Sequence, residues 1–390
     1  MAAERAKTGS ILYRRGGRPV VQLEYVGGSH MRVAAGSGAV VFAVFVAVVA
    51  TLPAQRGAAP SSATASADVT SRVVTAAQKV LSTLDDAGRA KVQFPLDSDQ
   101  RTRWSNLPTG AFTRQGLRLG DLTPAQRTAA MALLETAFSA AGYRKVTEIM
   151  RADDAFRDSR SGPRGGPPPG GGAARGGRGP VAFGSDEYYL AFVGAPTTTA
   201  RWILQFGGHH LAINMTFTGA RATLAPSHTG AQPATFTIEG RTIRPLGQES
   251  DRAFALMASL NPEQQKQAIL PFSVSDLVLG PGQDGRTIQP EGLRASVLSA
   301  SQQTTLMEIV REWAGIAHDG FATPRLEEIR TNLPQTYFAW SGPTTPGSAA
   351  YFRIQGPTLV IEYAPQRDVD HIHTIYRDPT NDYGSAFARK

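Results

Sequence analysis

The sequence predicts an α+β fold made of two tandem copies of a helices-then-antiparallel-strands unit, together forming one pseudo-twofold domain. Three observations carry this. Helical and strand patterns come in blocks and not in strict alternation. Similar segments recur at fixed offsets along the chain. A change in that offset coincides with a stretch of low-complexity sequence.

Composition sets the outer limits. The chain has 390 residues, and 41% of them are apolar, enough for a substantial core. It contains no cysteine, which excludes disulfides, thiolate metal sites and cysteine nucleophiles. The formal charge is +8, but it is unevenly placed. Arg5, Lys7, Arg14, Arg15, Arg18, Arg32 and Arg56 face only Glu4 and Glu24 in residues 1–60, so about +3 remains for the body. A nearly balanced body lacks the concentrated basic face of a nucleic-acid binder.

Residues 1–30 precede Met31 and read as a mis-assigned start or a short basic tail. Residues 31–55 read as a signal peptide or signal anchor. Arg32 leads into Ala39–Ala50, which has neither a charge nor a helix breaker. Spanning a bilayer takes ~20 apolar residues, and this run is shorter, which favours a cleaved signal. The expectation is an exported protein, periplasmic or extracellular, touching a membrane only through this segment if it stays uncleaved. Residues 56–74, rich in Ala, Ser and Thr, read as a flexible linker.

The duplicated domain is assigned to residues 75–390, with copy one at 75–245 and copy two at 250–390. Thr123-Pro124 with Gln126, and Ser299 with Gln302, are capping-box starts of matching helices. Asn261-Pro262 with Gln264 starts another in the same way. Strands are expected at 188–193, 202–206 and 211–217 in copy one. Copy two should supply strands at 337–340, 351–354, 359–363 and 371–376. Leu84–Pro95 aligns with Leu260–Pro271 at an offset of 176, and Leu122–Gln126 with Leu298–Gln302 at the same offset. Downstream, Tyr189–Gly194 aligns with Tyr337–Gly342 at an offset of 148. The difference of 28 equals the length of Arg157–Gly184, mostly Gly, Pro and Arg, which is read as a disordered insertion in copy one.

Histidine carries the candidate chemistry. His209 and His210 stand together at the entry to a strand, and His371 and His373 lie two apart within one. Residues i and i+2 of a strand share a face, so the latter pair should project together. Imidazoles so placed suit a divalent transition metal, and all four histidines are candidate ligands. In the 148 alignment His371 and His373 fall opposite Thr223 and Ala225, so the histidines mark a difference between the copies. The terminal loop holds three candidate catalytic residues, Arg377, Asp378 and Asp382. It either brings Arg377 and Asp382 beside the histidines or forms a tight turn held by an Arg377–Asp378 pair. Gly280–Gly285 matches the dinucleotide pattern in letters but opens no helix, and no zincin or phosphate-loop motif occurs.

These residues also carry a resemblance. The segments Phe94–Trp104, Leu122–Arg127, Gly208-His-His-Leu211, Gln355–Thr358, Ile361–Tyr363 and His371-Ile-His373 through Arg377-Asp378 resemble the bacterial family called domain of unknown function 3500. The likeness spans roughly residues 75–390. It implies export and a single large domain, and it carries over no established activity. The chain departs from the family pattern in its Gly/Pro/Arg insertion and in Pro226–Pro233, where aromatic residues and an Asn-Pro pair are more usual.

The functional expectation is a metal-dependent extracytoplasmic enzyme, with hydrolysis favoured over oxidation. The alternative is a non-catalytic cell-envelope binding or scaffold protein, with Trp104, Trp202, Trp313 and Trp340 lining a groove. Either would act on a small molecule, a glycan or a peptide.

Overall fold

The computed structural model describes residues 62–161 and 180–388. The chain opens with helices α1 (Ser62–Ser82) and α2 (Asp86–Val92), then the short strands β1 (Gln93–Phe94) and β2 (Leu117–Arg118). Helices α3 (Pro124–Ala137) and α4 (Ala140–Ser161) follow. The strands β3 (Tyr189–Val193), β4 (Trp202–Gly208), β5 (Leu211–Thr218), β6 (Arg221–Thr223) and β7 (Ser227–Ala231) come next. A small hairpin, β8 (Phe236–Ile238) and β9 (Arg241–Ile243), leads into helices α5 (Gly247–Ser259) and α6 (Pro262–Ala268). After β10 (Leu293–Arg294) come α7 (Ala300–Ala314) and α8 (Asp319–Thr331). The last strands are β11 (Tyr337–Ser341), β12 (Tyr351–Gly356), β13 (Leu359–Pro365) and β14 (Ile372–Arg377).

The helix starts follow from local chemistry. Thr123, Asn261 and Ser299 each accept a hydrogen bond from the backbone N–H three residues on, and a glutamine there reaches back to the cap. Strands pair in the order β1-β3-β4-β5-β7-β14-β13-β12-β11-β10. All these pairings are antiparallel except β1 with β3. The fold is therefore α+β, as the blockwise pattern predicts.

Both faces of the sheet are covered. Trp202, Leu204 and Phe206 of β4 join the helices in the main core. The alternate residue Ile203 packs with Val193, Ala212, Ile375, Trp104 and Tyr383 on the other face. That face lies under the segments after β1 and α6, which contribute Trp104 and Leu277. Such double coverage explains why the strands read as nearly continuous apolar runs. Trp202, Trp313 and Trp340 are fully buried, so they belong to the core and line no open groove. Truncating such a side chain typically costs about 3–5 kcal/mol.

Two boundaries differ from the composition-based reading. Helix α1 takes in residues 62–74, assigned above to a linker, because Val69, Val73, Val74, Ala77 and Val80 make a buried helical stripe. Helix α4 continues to Ser161, so the first residues of the supposed insertion are helical. The insertion's last residues are placed too, Ala182 bridging to Thr109 and Gly184 N–H bonding Asp153; residues 162–179 of the insertion and the N-terminal assignments before residue 62 lie outside the described residues. Among the described residues no helix is long and apolar enough to cross a membrane.

Candidate metal centre

His209 and His210 are the two turn residues between β4 and β5, where Gly208 pairs with Leu211. His210 adopts φ 60°, a left-handed conformation that costs a non-glycine residue roughly 1–3 kcal/mol unless its surroundings enforce it. Three contacts do so. The Tyr188 hydroxyl donates to His209 O at 2.8 Å. His210 N–H donates to Asn106 O at 3.1 Å. Arg114 donates to Gly208 O at 2.6 Å.

The turn sets the His210 ring over Gly230 of the central strand β7. A Cβ at Gly230 would meet His210 Cδ2 at 3.2 Å and Ile372 O at 2.6 Å. Gly230 also pairs in register with His373. The absence of a side chain there is what lets His210 approach β14. Gly230→Ala is expected to cost about 1–3 kcal/mol by overpacking, and to weaken metal binding ~10–100-fold by displacing the ring. Competition against a chromophoric chelator checks the second figure; unchanged affinity would show that the close approach is not what seats His210.

His371 precedes β14 directly and His373 lies within it, on the same face. His210 Nε2 is 2.9 Å from His371 Nε2, which is 3.0 Å from His373 Nε2. These three residues could hold a metal ion. An imidazole nitrogen carries in its plane either one proton or one lone pair. His371 Nε2 can thus make one good hydrogen bond, yet it faces two imidazole nitrogens. A cation shared by the three lone pairs would relieve this crowding, taking the place of the Asn106 amide that stands 3.3 Å from His373 Nε2. Bonds of about 2.0–2.1 Å to zinc would set tetrahedral nitrogens ~3.3 Å apart, near the two separations through His371, and the ligand atoms of all three lie within 4.8 Å of one another.

Electrostatics agree with neutral donors. Burial, reinforced by the neighbouring imidazoles, pushes His210 well below the usual histidine range. The same causes bring His371 down to about 4. Asp276 Oδ1 lies 3.5 Å from His373 Nδ1. Its carboxyl is partly buried, yet His373 and the Leu277 N–H hold it below its ordinary value. A carboxylate on the far nitrogen of an imidazole is the usual outer support of a metal ligand. Asn106 places its side-chain amide 3.3 Å from His373 Nε2.

His209 stands beside this group and not in it. Its Nδ1 bonds Asp153 Oδ1 of α4 at 2.6 Å, while its ring stacks on His210 with centroids 3.7 Å apart. Asp153 also accepts Gly184 N–H at 2.8 Å and is 1% exposed. The dyad is therefore rigid.

Arg377 is not brought to the histidines. Four residues of extended strand put it about 13 Å from His373. Its guanidinium donates to Leu279 O at 2.7 Å and Gly280 O at 3.0 Å, and pairs Asp284 at 2.9 Å and Asp382 at 2.8 Å. Asp382 also accepts Asp378 N–H at 3.0 Å. Asp378 faces away and pairs Arg325 at 3.1 Å. The terminal loop is thus a tied turn, and the pair expected between Arg377 and Asp378 is replaced by Arg377–Asp382.

His228 of β7 escapes the sequence reading. It is fully buried, and among the described residues neither ring nitrogen has a hydrogen-bond partner. Its ring centroid lies 5.5 Å from that of His373. Burial first, and then the nearby imidazoles, push it well below the usual range. Asn106, Asp153 and Asp276 were missed too, since each lies far from the histidines in sequence.

A family model described as "Protein of unknown function (DUF3500)" matches residues 66–385. No curated protein and no solved structure matches the chain.

Proposed function

The chain belongs to the DUF3500 family, and from that premise we propose that it is a metal-dependent enzyme working outside the cytoplasm, with hydrolysis as its reaction class. The observation that carries this reading is the convergence of three imidazole Nε2 atoms, with His371 Nε2 2.9 Å from His210 Nε2 and 3.0 Å from His373 Nε2. His210, His371 and His373 would hold a divalent transition metal. Three protein ligands leave a position for water, whose pKa such an ion lowers to ~7. The His209–Asp153 dyad, stacked against His210, would serve as general base. Arg377, Asp378 and Asp382 take no chemical part in this reading. The apolar run at 39–50 supports export, and a small molecule, glycan or peptide would be the substrate.

The internal duplication belongs to the same proposal. β1 meets β3 at Gln93↔Phe192, and Ile269 meets Trp340 in the same parallel sense, at offsets of 176 and 148. Leu117↔Leu190 is likewise matched by Leu293↔Phe338. Across the sheet centre Thr229 pairs with Thr374 at an offset of 145, which sets His228, not Ala225, as the counterpart of His373. In this reading a gene-duplicated fold acquired its site where the halves join.

The burial of His210 and His373, at 2% and 9% exposed, favours a second reading. The metal would then clip the β4–β5 turn to β14 in a non-catalytic envelope scaffold. Elemental analysis of protein purified without chelator or affinity histidines tests both. A stoichiometric metal is expected. Absence of metal, even after incubation with zinc, copper, iron and manganese, would overturn the site. A metal that raises Tm while supporting no turnover across hydrolase panels would favour the scaffold.

A further inference from the structure

We propose that the cavity at the far end of β14 binds a small molecule carrying phosphate or carboxylate groups. This cavity measures about 500 Å³. Three separate segments close around it, each bringing an arginine: Arg101 after β1, Arg201 before β4 and Arg286 after α6. Arg377 forms part of its wall, but its charge is already met by Asp284 and Asp382. Those two are the carboxylates of the lining. The other three guanidiniums have no carboxylate partner among the described residues. Among the described residues the Arg201 guanidinium reaches only Gly384 O, at 3.4 Å, and that of Arg286 only the side chain of Gln283. Arg101 and Arg286 are exposed, so both retain free donors.

Four arginines against two carboxylates leave the lining with a net charge of +2, and like charges in excess repel, so folding alone gives little reason to gather them from three loops. An oxyanion supplies the missing charge, and its geometry matches the planar guanidinium fork. Thr102, Thr287 and Ser385 line the same space among the arginines. The volume exceeds what a bare ion needs and suits a sugar-sized molecule with one or two acidic groups. Ile375, packed with Trp104 and Tyr383, fills the sheet face between this cavity and the histidines. The inference therefore stands apart from the metal reading.

Isothermal titration at low ionic strength tests it, on protein stripped of metal with a chelating resin so that no metal-bound anion contributes. The probes are inorganic phosphate and, separately, citrate. Saturable binding of at least one is expected, and the better probe assigns phosphate or carboxylate recognition. Arg101→Ala and Arg286→Ala should each weaken it at least ~10-fold. Arg241→Ala, on the exposed β8–β9 hairpin, removes the same charge elsewhere and should leave binding unchanged. No saturable binding of either probe at tens of millimolar would overturn the proposal. Equal weakening by Arg241→Ala would do so as well, since it would mark a diffuse effect of net charge.

Discussion

His371→Ala is expected to lower transition-metal affinity by more than ~100-fold. Loss of an outer partner of a metal ligand commonly costs ~10–100-fold, and His371 is a donor itself. It is also the middle member of the group, with both Nε2 contacts passing through it. Its removal leaves two donors that no longer enclose a common point. The variant is informative because His371 is only half-buried. Truncation there opens no sealed cavity, so the metal-free variant should melt close to the metal-free parent. The parent should gain stability on metal addition, by ~2.7 kcal/mol at a hundredfold excess over Kd, and the variant should not. His318→Ala is the matching control. That residue caps α8 through Gly320 N–H, remote from the site, so the variant should keep the metal-induced shift. A His371→Ala protein that retained the parent's affinity and the same shift in Tm would end the three-histidine assignment.

The site was legible in part, and the reason lies in which interactions are local. The strands at 188–193, 202–206 and 211–217 were found within about two residues because both their faces are buried. The capping boxes at Thr123, Asn261 and Ser299 were legible because a cap is complete within four residues. The shared face of His371 and His373 follows from strand geometry alone. β7 was not legible. Its sequence, Ser227-His-Thr-Gly-Ala231, has little strand propensity, and its place at the sheet centre comes from pairing with β5 and β14. His228 and Gly230 were lost with it. In the proposed duplication the offset changes from 148 to 145 between β5 and β7, whereas the sequence alignment set His373 against Ala225. Asp153 reaches His209 from a helix 56 positions earlier, which no spacing rule anticipates. The linker assignment failed for the opposite reason: Ala, Ser and Thr are weak indicators, and Val69, Val73, Ala77 and Val80, three or four residues apart, were the true signal.

The second large effect is expected away from the metal, where α4, α5 and α7 meet. Lys145 donates to Glu249 at 2.5 Å, to Glu312 Oε2 at 3.0 Å and to Glu312 O at 2.8 Å. Glu249 is 1% exposed, and its second oxygen has no hydrogen-bond partner among the described residues. Lys145→Met therefore strands a carboxylate in the core, which should cost about 3–5 kcal/mol. At ~2–4 °C per kcal/mol the melting temperature falls by roughly 6–20 °C. Glu312 keeps Arg252 at 2.5 Å, so the deficit belongs chiefly to Glu249. Burial already pushes the Glu249 carboxyl up against the pull of Lys145, and losing Lys145 pushes it further. A carboxyl raised in the folded state favours folding while protonated, and that contribution disappears as pH rises through its folded pKa. The deficit of Lys145→Met should accordingly widen with rising pH and narrow as the pH falls toward the ordinary carboxylate range. Lys145→Met/Glu249→Leu removes both charges and should recover most of the loss, because an apolar pair of similar volume commonly matches a buried ion pair. Denaturant melts of the two variants across pH decide the matter. A flat pH dependence, or a double variant no better than the single one, would assign the loss to packing of the lysine stem instead of to the stranded charge.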